Sequence, residues 1–290
     1  KEAAEKTGLK EGTPVAGGAF DIDACALAVG ITDEEHICMI AGTWSINEYI
    51  AREAVIDGSV MMNSFYCLPG YYLVEECSPT SAGNNEWFMK TLLPEVREEC
   101  RKDGKNIYEQ MNSWVEEIPA EEFCPIYLPF LMASNVHPNA SGCFVGISNY
   151  HTRKHLLRSV YEGVAFSHRY HLEKLLKTRK EAPRSIRLAG GAARSPMWTQ
   201  MFADVMKLPV ESVDVNETGA AGCAIIGAAA SGVCGTVEEA VNKMCRIGEP
   251  VPPNPRNSVI YDEKYALYCK TIDALDGLWD SVQQYKDAHI

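Results

Sequence analysis

The segment Leu188-Ala-Gly-Gly-Ala-Ala-Arg-Ser-Pro-Met-Trp198 constrains this chain more than any other. An apolar run leads into a glycine pair, and a Ser-Pro pair follows close behind. Gly190 and Gly191 remove two Cβ atoms where a strand must turn into a helix, so a ligand can lie against bare backbone. Ser195 suits the N-cap of that helix and Pro196 its first position, where the missing N–H is one a helix leaves unpaired anyway. Free N–H groups at such a start favour a polar or anionic ligand. An ordinary strand–turn–helix joint explains the segment equally well, so its meaning depends on what else the chain supplies.

Composition narrows the options. The 290 residues suffice for one large domain or two small ones. With 46% hydrophobic and 23% charged residues the chain is of globular type. Its net charge of −12, without a basic block, argues against nucleic acid and against an anionic membrane as partners. An anionic substrate would have to be held by backbone dipoles and a metal ion. The 11 cysteines stand singly, several inside apolar runs, with no Cys-x-x-Cys pair. That pattern predicts buried free thiols in a reducing, cytoplasmic setting, and neither a disulfide framework nor a zinc site. No apolar run reaches transmembrane length. The chain opens on Lys1-Glu-Ala-Ala-Glu-Lys6 without an initiator methionine, which reads as a helix in progress and as a piece of a longer protein.

Periodicity and turn signals predict strands over 14–20, 36–41, 46–50, 60–74, 124–131, 185–189 and 210–215. Within 60–74, Pro69-Gly70 marks a hairpin turn. Helices are expected over 21–30, about 84–118, 151–180, 198–206, 218–232, 237–244 and 263–285. Repeated strand–helix alternation predicts an α/β domain with a central sheet, without an internal repeat or a clear linker. The small residues of 218–232 predict close packing of that helix on the sheet, and Glu95–Lys105 reads as a solvated helix face.

Three glycine corners follow predicted strands: Gly17-Gly18 ahead of Asp21, Gly42-Thr43, and Gly190-Gly191. Ligands collect at such strand ends in open α/β sheets. Phosphoryl transfer to a hydroxyl needs a carboxylate to accept the proton, backbone donors and hydroxyls for the phosphates, and usually Mg²⁺. Asp21, Thr43 and the Gly190 turn match the protein side of that list. A Walker loop and a G-x-G-x-x-G are both absent. His151, His155, His168 and His171 share helical spacing, but no carboxylate or cysteine cluster accompanies them, so a packed helix face is expected and no metal ligand is assigned. Glu75-Glu76 reads as an exposed strand end, and Trp198 as a packing residue.

The motifs stand in a suggestive order. Gly12-Thr-Pro-Val-Ala-Gly-Gly precedes Asp21; Gly42-Thr43, Leu128-Pro-Phe-Leu131, Gly190-Gly-Ala-Ala-Arg-Ser-Pro-Met-Trp198 and Glu217-Thr-Gly-Ala-Ala-Gly-Cys-Ala224 follow. In this order they resemble the C-terminal half of the FGGY carbohydrate kinases, over nearly the whole chain. The resemblance implies a ribonuclease H-like, actin-like ATPase lobe with a mixed central sheet flanked by helices. Residues 1–290 would form the nucleotide-binding lobe, with the N-terminal lobe absent, and would act on a sugar with ATP and Mg²⁺ in the cleft between lobes.

Carried over by position, Asp21 matches the family's catalytic base. Gly42 and Thr43 match its second phosphate turn, and Gly190, Gly191 and Ala192 its adenosine motif, with Ser195 on the nucleotide side. Ala82 and Glu86 fall on the helix that borders the nucleotide. Counting back from Gly30 would select Asp23 as the base, whereas the Gly-x-Phe corner selects Asp21. Gly42-Thr-Trp44, Ser78-Pro-Thr-Ser-Ala-Gly83 and Tyr161-Glu-Gly-Val-Ala-Phe-Ser-His168 are similar to the branch that acts on L-xylulose and 3-keto-L-gulonate. A ketopentose is thus the implied substrate, against D-xylulose, ribulose or glycerol kinases and a non-catalytic sensing module as alternatives. The same resemblance implies a homodimer of the whole enzyme.

Overall fold

The computed structural model describes residues 1–289. The first third of the chain comprises α1 (Glu2–Thr7), α2 (Asp21–Ala28), β1 (His36–Ala41), β2 (Ser45–Ala51), β3 (Met62–Phe65), β4 (Tyr72–Ser78) and α3 (Gly83–Leu92). Then come α4 (Pro94–Lys102), α5 (Ile107–Glu116), β5 (Ile126–Leu128), β6 (Cys143–Val145), α6 (Arg153–Thr178) and β7 (Ser185–Gly190). A 3₁₀ turn at Ala192–Arg194 leads to α7 (Pro196–Met206), β8 (Val210–Ser212), α8 (Thr218–Ala230), α9 (Val237–Met244) and α10 (Pro255–His289).

Six strands form a mixed sheet in the order β3-β4-β2-β1-β7-β8, and β5 pairs with β6 in a separate ribbon. β1, β7 and β8 run parallel, while β2, β4 and β3 form an antiparallel meander on the other side of β1. Helices cover both faces, which is why every residue of β1 is buried. Ile37, Met39, Ile186 and Leu188 point to one face, where they join a core with Tyr161, Phe166 and Phe202 of α6 and α7. Cys38, Ile40, Leu73 and Ala189 point to the other, with Leu27 of α2, Ile225 of α8 and Val241 of α9. The expected α/β architecture with a mixed sheet between helices is therefore present.

Several elements depart from their sequence expectation. Residues 14–20 form no strand, and Val15 is 90% exposed. The reason is topological: β1 is flanked by β2 and β7, so this segment meets no free central edge. The single helical stretch at 84–118 is three helices, broken at Leu93-Pro94 and again before Ile107. β6 carries no strong strand signal and exists by pairing with β5. The small residues of α8 serve a helix–helix contact: a Cβ on Gly222 would lie 1.9 Å from the carbonyl oxygen of Ala24 in α2. Glu75 and Glu76 are not an exposed strand end, since both are buried. All eleven cysteines are free thiols, and Cys223 alone is exposed. Among the described residues no helix is long and apolar enough to cross a membrane.

One buried ionic cluster ties the helical layer together. Glu162 of α6 accepts from Arg158 at 2.8 Å and from Lys264 of α10 at 2.9 Å. Arg158 also donates to the carbonyls of Val115 and Ile118, at the end of α5, and to the Tyr261 hydroxyl.

Candidate active site

Four chain segments end at one edge of the sheet. β1 and β7, parallel to each other, end there, β2 starts there, and β4 ends there, with Ala41 paired to both Ser45 and Gly190 and with Ser45 paired to Ser78. The turn after β1 carries Gly42 and Thr43, the loop after β4 carries Ala82, and the turn after β7 carries Gly190 and Gly191.

Backbone contacts lock these turns together. Gly190 has φ of 89°, and a Cβ there would sit 2.5 Å from the Ala41 carbonyl oxygen, so both its conformation and its space demand glycine. The Gly191 N–H donates to that same Ala41 oxygen at 3.0 Å. The Ser81 N–H donates to the Thr43 carbonyl at 3.0 Å, and a Cβ on Gly191 would come within 4.0 Å of the Ala82 Cβ. Gly42, Thr43, Ala82, Gly190 and Gly191 thus form one continuous corner. Thr43 and Gly191 are exposed at its surface.

Ser195 caps α7 as its sequence implies: its Oγ accepts from the Trp198 N–H at 3.2 Å, with Pro196 opening the helix. Ser195 and Ala192 are buried, so they shape the turn from beneath. Trp198 packs on Tyr161 and Phe202. Glu86 stands one turn into α3, exposed, with its carboxylate 2.6 Å from Lys90. Beside the Gly190 corner a cavity of about 290 Å³ opens, lined by Gly190, Arg194, Ser212, Asp214, Val215 and Arg246 among others. Arg194 is held at its mouth by donating to Asn216 Oδ1 at 2.6 Å. Sequence reasoning missed this wall, since Asp214 and Arg246 lie far apart in the chain and meet at the Val213–Ile247 bridge, where the Asp214 N–H donates to the Arg246 carbonyl at 3.1 Å.

The two acids of α2 lie in different surroundings. Asp21 is exposed at the first helical position, where the helix dipole favours a carboxylate, and its Oδ1 accepts from the Ile22 N–H at 3.0 Å. Asp23 is buried, and burial together with the Asp21 charge pushes its pKa up to about 6. The sheet face beneath α2 adds Glu48 and Glu75, which are paired in register and buried without hydrogen-bond partners. Burial lifts Glu75 to about 6 and Glu48 well above the ordinary carboxylate range. Of these four acids only Asp21 is exposed.

The histidines of α6 hold the fold. His155 Nδ1 accepts from the Thr152 N–H at 3.1 Å in a capping box, and its Nε2 lies 2.7 Å from Glu122. Buried His171 lies 2.9 Å from Glu76 through Nδ1. Burial pushes His171 down, so it donates as a neutral ring while Lys174 supplies the positive charge beside Glu76. Among the described residues no group of three His, Cys, Asp or Glu side chains is placed to hold a metal ion.

Comparison with known proteins places this corner in a family. The FGGY family of carbohydrate kinases, C-terminal domain, matches residues 37–231. The chain belongs to the FGGY family of carbohydrate kinases. The L-xylulose/3-keto-L-gulonate kinase of Escherichia coli (strain K12) is 35% identical over 286 residues, covering 98% of this chain and 55% of that protein. The structure of a xylulose kinase from Rhodospirillum rubrum superposes with a TM-score of 0.84 at 30% identity, over 96% of this chain and 55% of that one. The chain spans about half the length of the curated relatives it matches. The FGGY match takes in the turns at Gly42, Ala82 and Gly190, while Asp21 lies ahead of it.

Proposed function

We propose that this chain is the C-terminal, nucleotide-binding lobe of an ATP-dependent sugar kinase whose substrate is a ketopentose such as L-xylulose. One observation carries the reading: the Gly42-Thr43 and Gly190-Gly191 turns are locked backbone to backbone through Ala41, leaving a glycine-rich corner beside a cavity. A corner of this kind lets phosphates and ribose lie directly on backbone donors. The carbohydrate kinase family and the names of the relatives support the sugar as acceptor.

The residues fit ATP in the following way. The Gly42 N–H is spent on the Trp44 carbonyl at 3.2 Å, so the turn offers the Thr43 N–H and hydroxyl to phosphate oxygens, and Gly190 and Gly191 border the nucleoside with the Arg194–Arg246 cavity beyond. ATP supplies the phosphoryl group. Asp21 accepts the proton of the sugar hydroxyl as that oxygen bonds to the γ-phosphorus and the bond to the β-phosphate oxygen breaks, giving a sugar phosphate and ADP. Mg²⁺ travelling on the phosphates needs only one or two protein carboxylates. Asp21 is reserved here for the proton, and Asp23, Glu48 and Glu75 are buried away from such a contact, so no residue of this chain is assigned to Mg²⁺. An N-terminal lobe would close over this edge of the sheet and exclude water.

In the full-length enzyme, Asp21→Asn is expected to lower kcat by about 10²–10⁴, the usual worth of a general base, with ATP affinity nearly unchanged. Steady-state kinetics on L-xylulose and calorimetric titration with ATP measure both. A loss below about tenfold, with a larger one in Asp23→Asn, would move the base to Asp23.

A further inference from the structure

The phosphate-turn side of the corner rests on a buried polar relay that runs back through the sheet to α6. Ser81, whose N–H holds the Thr43 carbonyl, has its Oγ 2.9 Å from His168 Nε2. His168 Nδ1 lies 2.9 Å from Asn47 Oδ1, and Asn47 Nδ2 donates to the Glu76 carbonyl at 3.2 Å. Ser81, His168 and Asn47 are all fully buried.

The partners dictate the proton positions. Asn47 spends its amide N–H on a carbonyl, so its Oδ1 must accept, and His168 carries its proton on Nδ1. Nε2 is then an acceptor, and the Ser81 hydroxyl donates to it. Burial, with His171 nearby, pushes the His168 pKa down to about 3, so the ring stays neutral and the direction of the relay does not change near neutral pH. The same ring packs edge-on against Phe202 of α7, at 5.3 Å between centroids, and α7 begins at the other glycine corner. His168 therefore touches the supports of both turns without reaching the surface.

We propose that His168 is a positioning residue for the nucleotide: through Ser81 it holds the Thr43 turn at the spacing the Gly190 turn requires. The proposal rests on the reading of this corner as a nucleotide site. A neutral ring with one donor and one acceptor is the group this relay requires. A purely apolar residue of the same size would fill the space and leave two buried polar atoms, on Ser81 and Asn47, without partners.

The test uses the full-length enzyme. Wild-type protein is first titrated with ATP; absence of binding overturns the nucleotide reading itself, and this proposal with it. Given binding, His168→Phe keeps the contact with Phe202 and removes both hydrogen bonds, Ser81→Ala removes one, and His168→Gln restores an acceptor for Ser81. His168→Phe and Ser81→Ala are each expected to raise KM for ATP about fivefold, the scale of one lost buried hydrogen bond, with KM for the sugar within about twofold. The double variant should be no worse than His168→Phe, and His168→Gln should recover most of the loss. Unchanged KM for ATP, an equal rise in KM for the sugar, or additive effects would overturn the proposal. Should His168→Phe fail to fold, Ser81→Ala and the ¹⁵N shifts of the wild-type ring decide. A neutral Nδ1–H ring supports the relay, and an Nε2–H or charged ring at pH 7 overturns it.

Discussion

At the scale of single residues, identity and environment have to be read together. Asp21 and Asp23 lie two positions apart, yet one faces solvent and the other is buried. Unfolded Asp23 ionises near its ordinary 3.8, and folded Asp23 near about 6. Between those values the folded chain holds more protons than the unfolded one, so the contribution of Asp23 to stability falls as pH rises through that window. Asp23→Asn is therefore expected to stabilise the protein well above pH ~6 by on the order of 3 kcal/mol and to do nothing below pH ~4. Urea denaturation at pH 4 and pH 7.5 would show this, and equal stability of variant and parent at both would refute it. Glu75 has the same sign, with burial lifting it from 4.5 to about 6. None of this was visible in the Asp-x-Asp pattern, because burial depends on which helix covers α2. The roles of Gly190 and Ser195 were visible, since a positive-φ turn and a helix cap are set by the residues that make them.

At the scale of elements, α2 owes its position to α8. The Ala24 carbonyl occupies the space a Cβ on Gly222 would need, so Gly222→Ala pushes the helices apart. We expect a loss of about 1–3 kcal/mol, as for other overpacked contacts, and a lower kcat, because α2 carries Asp21. Thermal melting and turnover should fall together; a variant stable as the parent would show that the helices slide freely. The α6–α10 joint is expected to fail differently. Glu162→Gln leaves Arg158 and Lys264 as two buried cations without their shared anion, at a cost of about 3–5 kcal/mol. Chemical denaturation measures it, and a loss under about 1 kcal/mol would mean that water reaches the cluster. Several helix limits were legible from apolar spacing and from Pro196 as a start signal, whereas 84–118 divides into three helices and α10 starts at Pro255, well before the expected 263. The partner of α8 was not legible, since a stripe of small residues announces a close approach without saying to what.

At the scale of the whole molecule, four segment ends from distant parts of the chain make one surface. The sheet order β3-β4-β2-β1-β7-β8 brings the turns after β1, β4 and β7 to the same edge. That edge carries one glycine-rich corner with a cavity of about 290 Å³ beside it, and the relatives this chain matches are about twice its length. Residues 1–290 alone are therefore expected to phosphorylate sugars at a negligible rate while the full-length enzyme turns over. Side-by-side assays of the two would settle it, and robust turnover by the shorter chain would refute the two-lobe reading.

Residue order alone was enough for the local pieces: the glycine corners, the Ser195-Pro196 helix start, the apolar runs of β1 and β7, and the family order of motifs. Each of these depends on neighbours within a few residues, where backbone sterics and hydrogen bonding act directly. Long-range packing is what leaves residues 14–20 outside the sheet, buries Glu48, Glu75 and Asp23, and brings Ser81 to His168. Those outcomes depend on sheet order and on which helix covers which face. Burial and long-range partners are properties of the assembled layers, and no short stretch of chain encodes them.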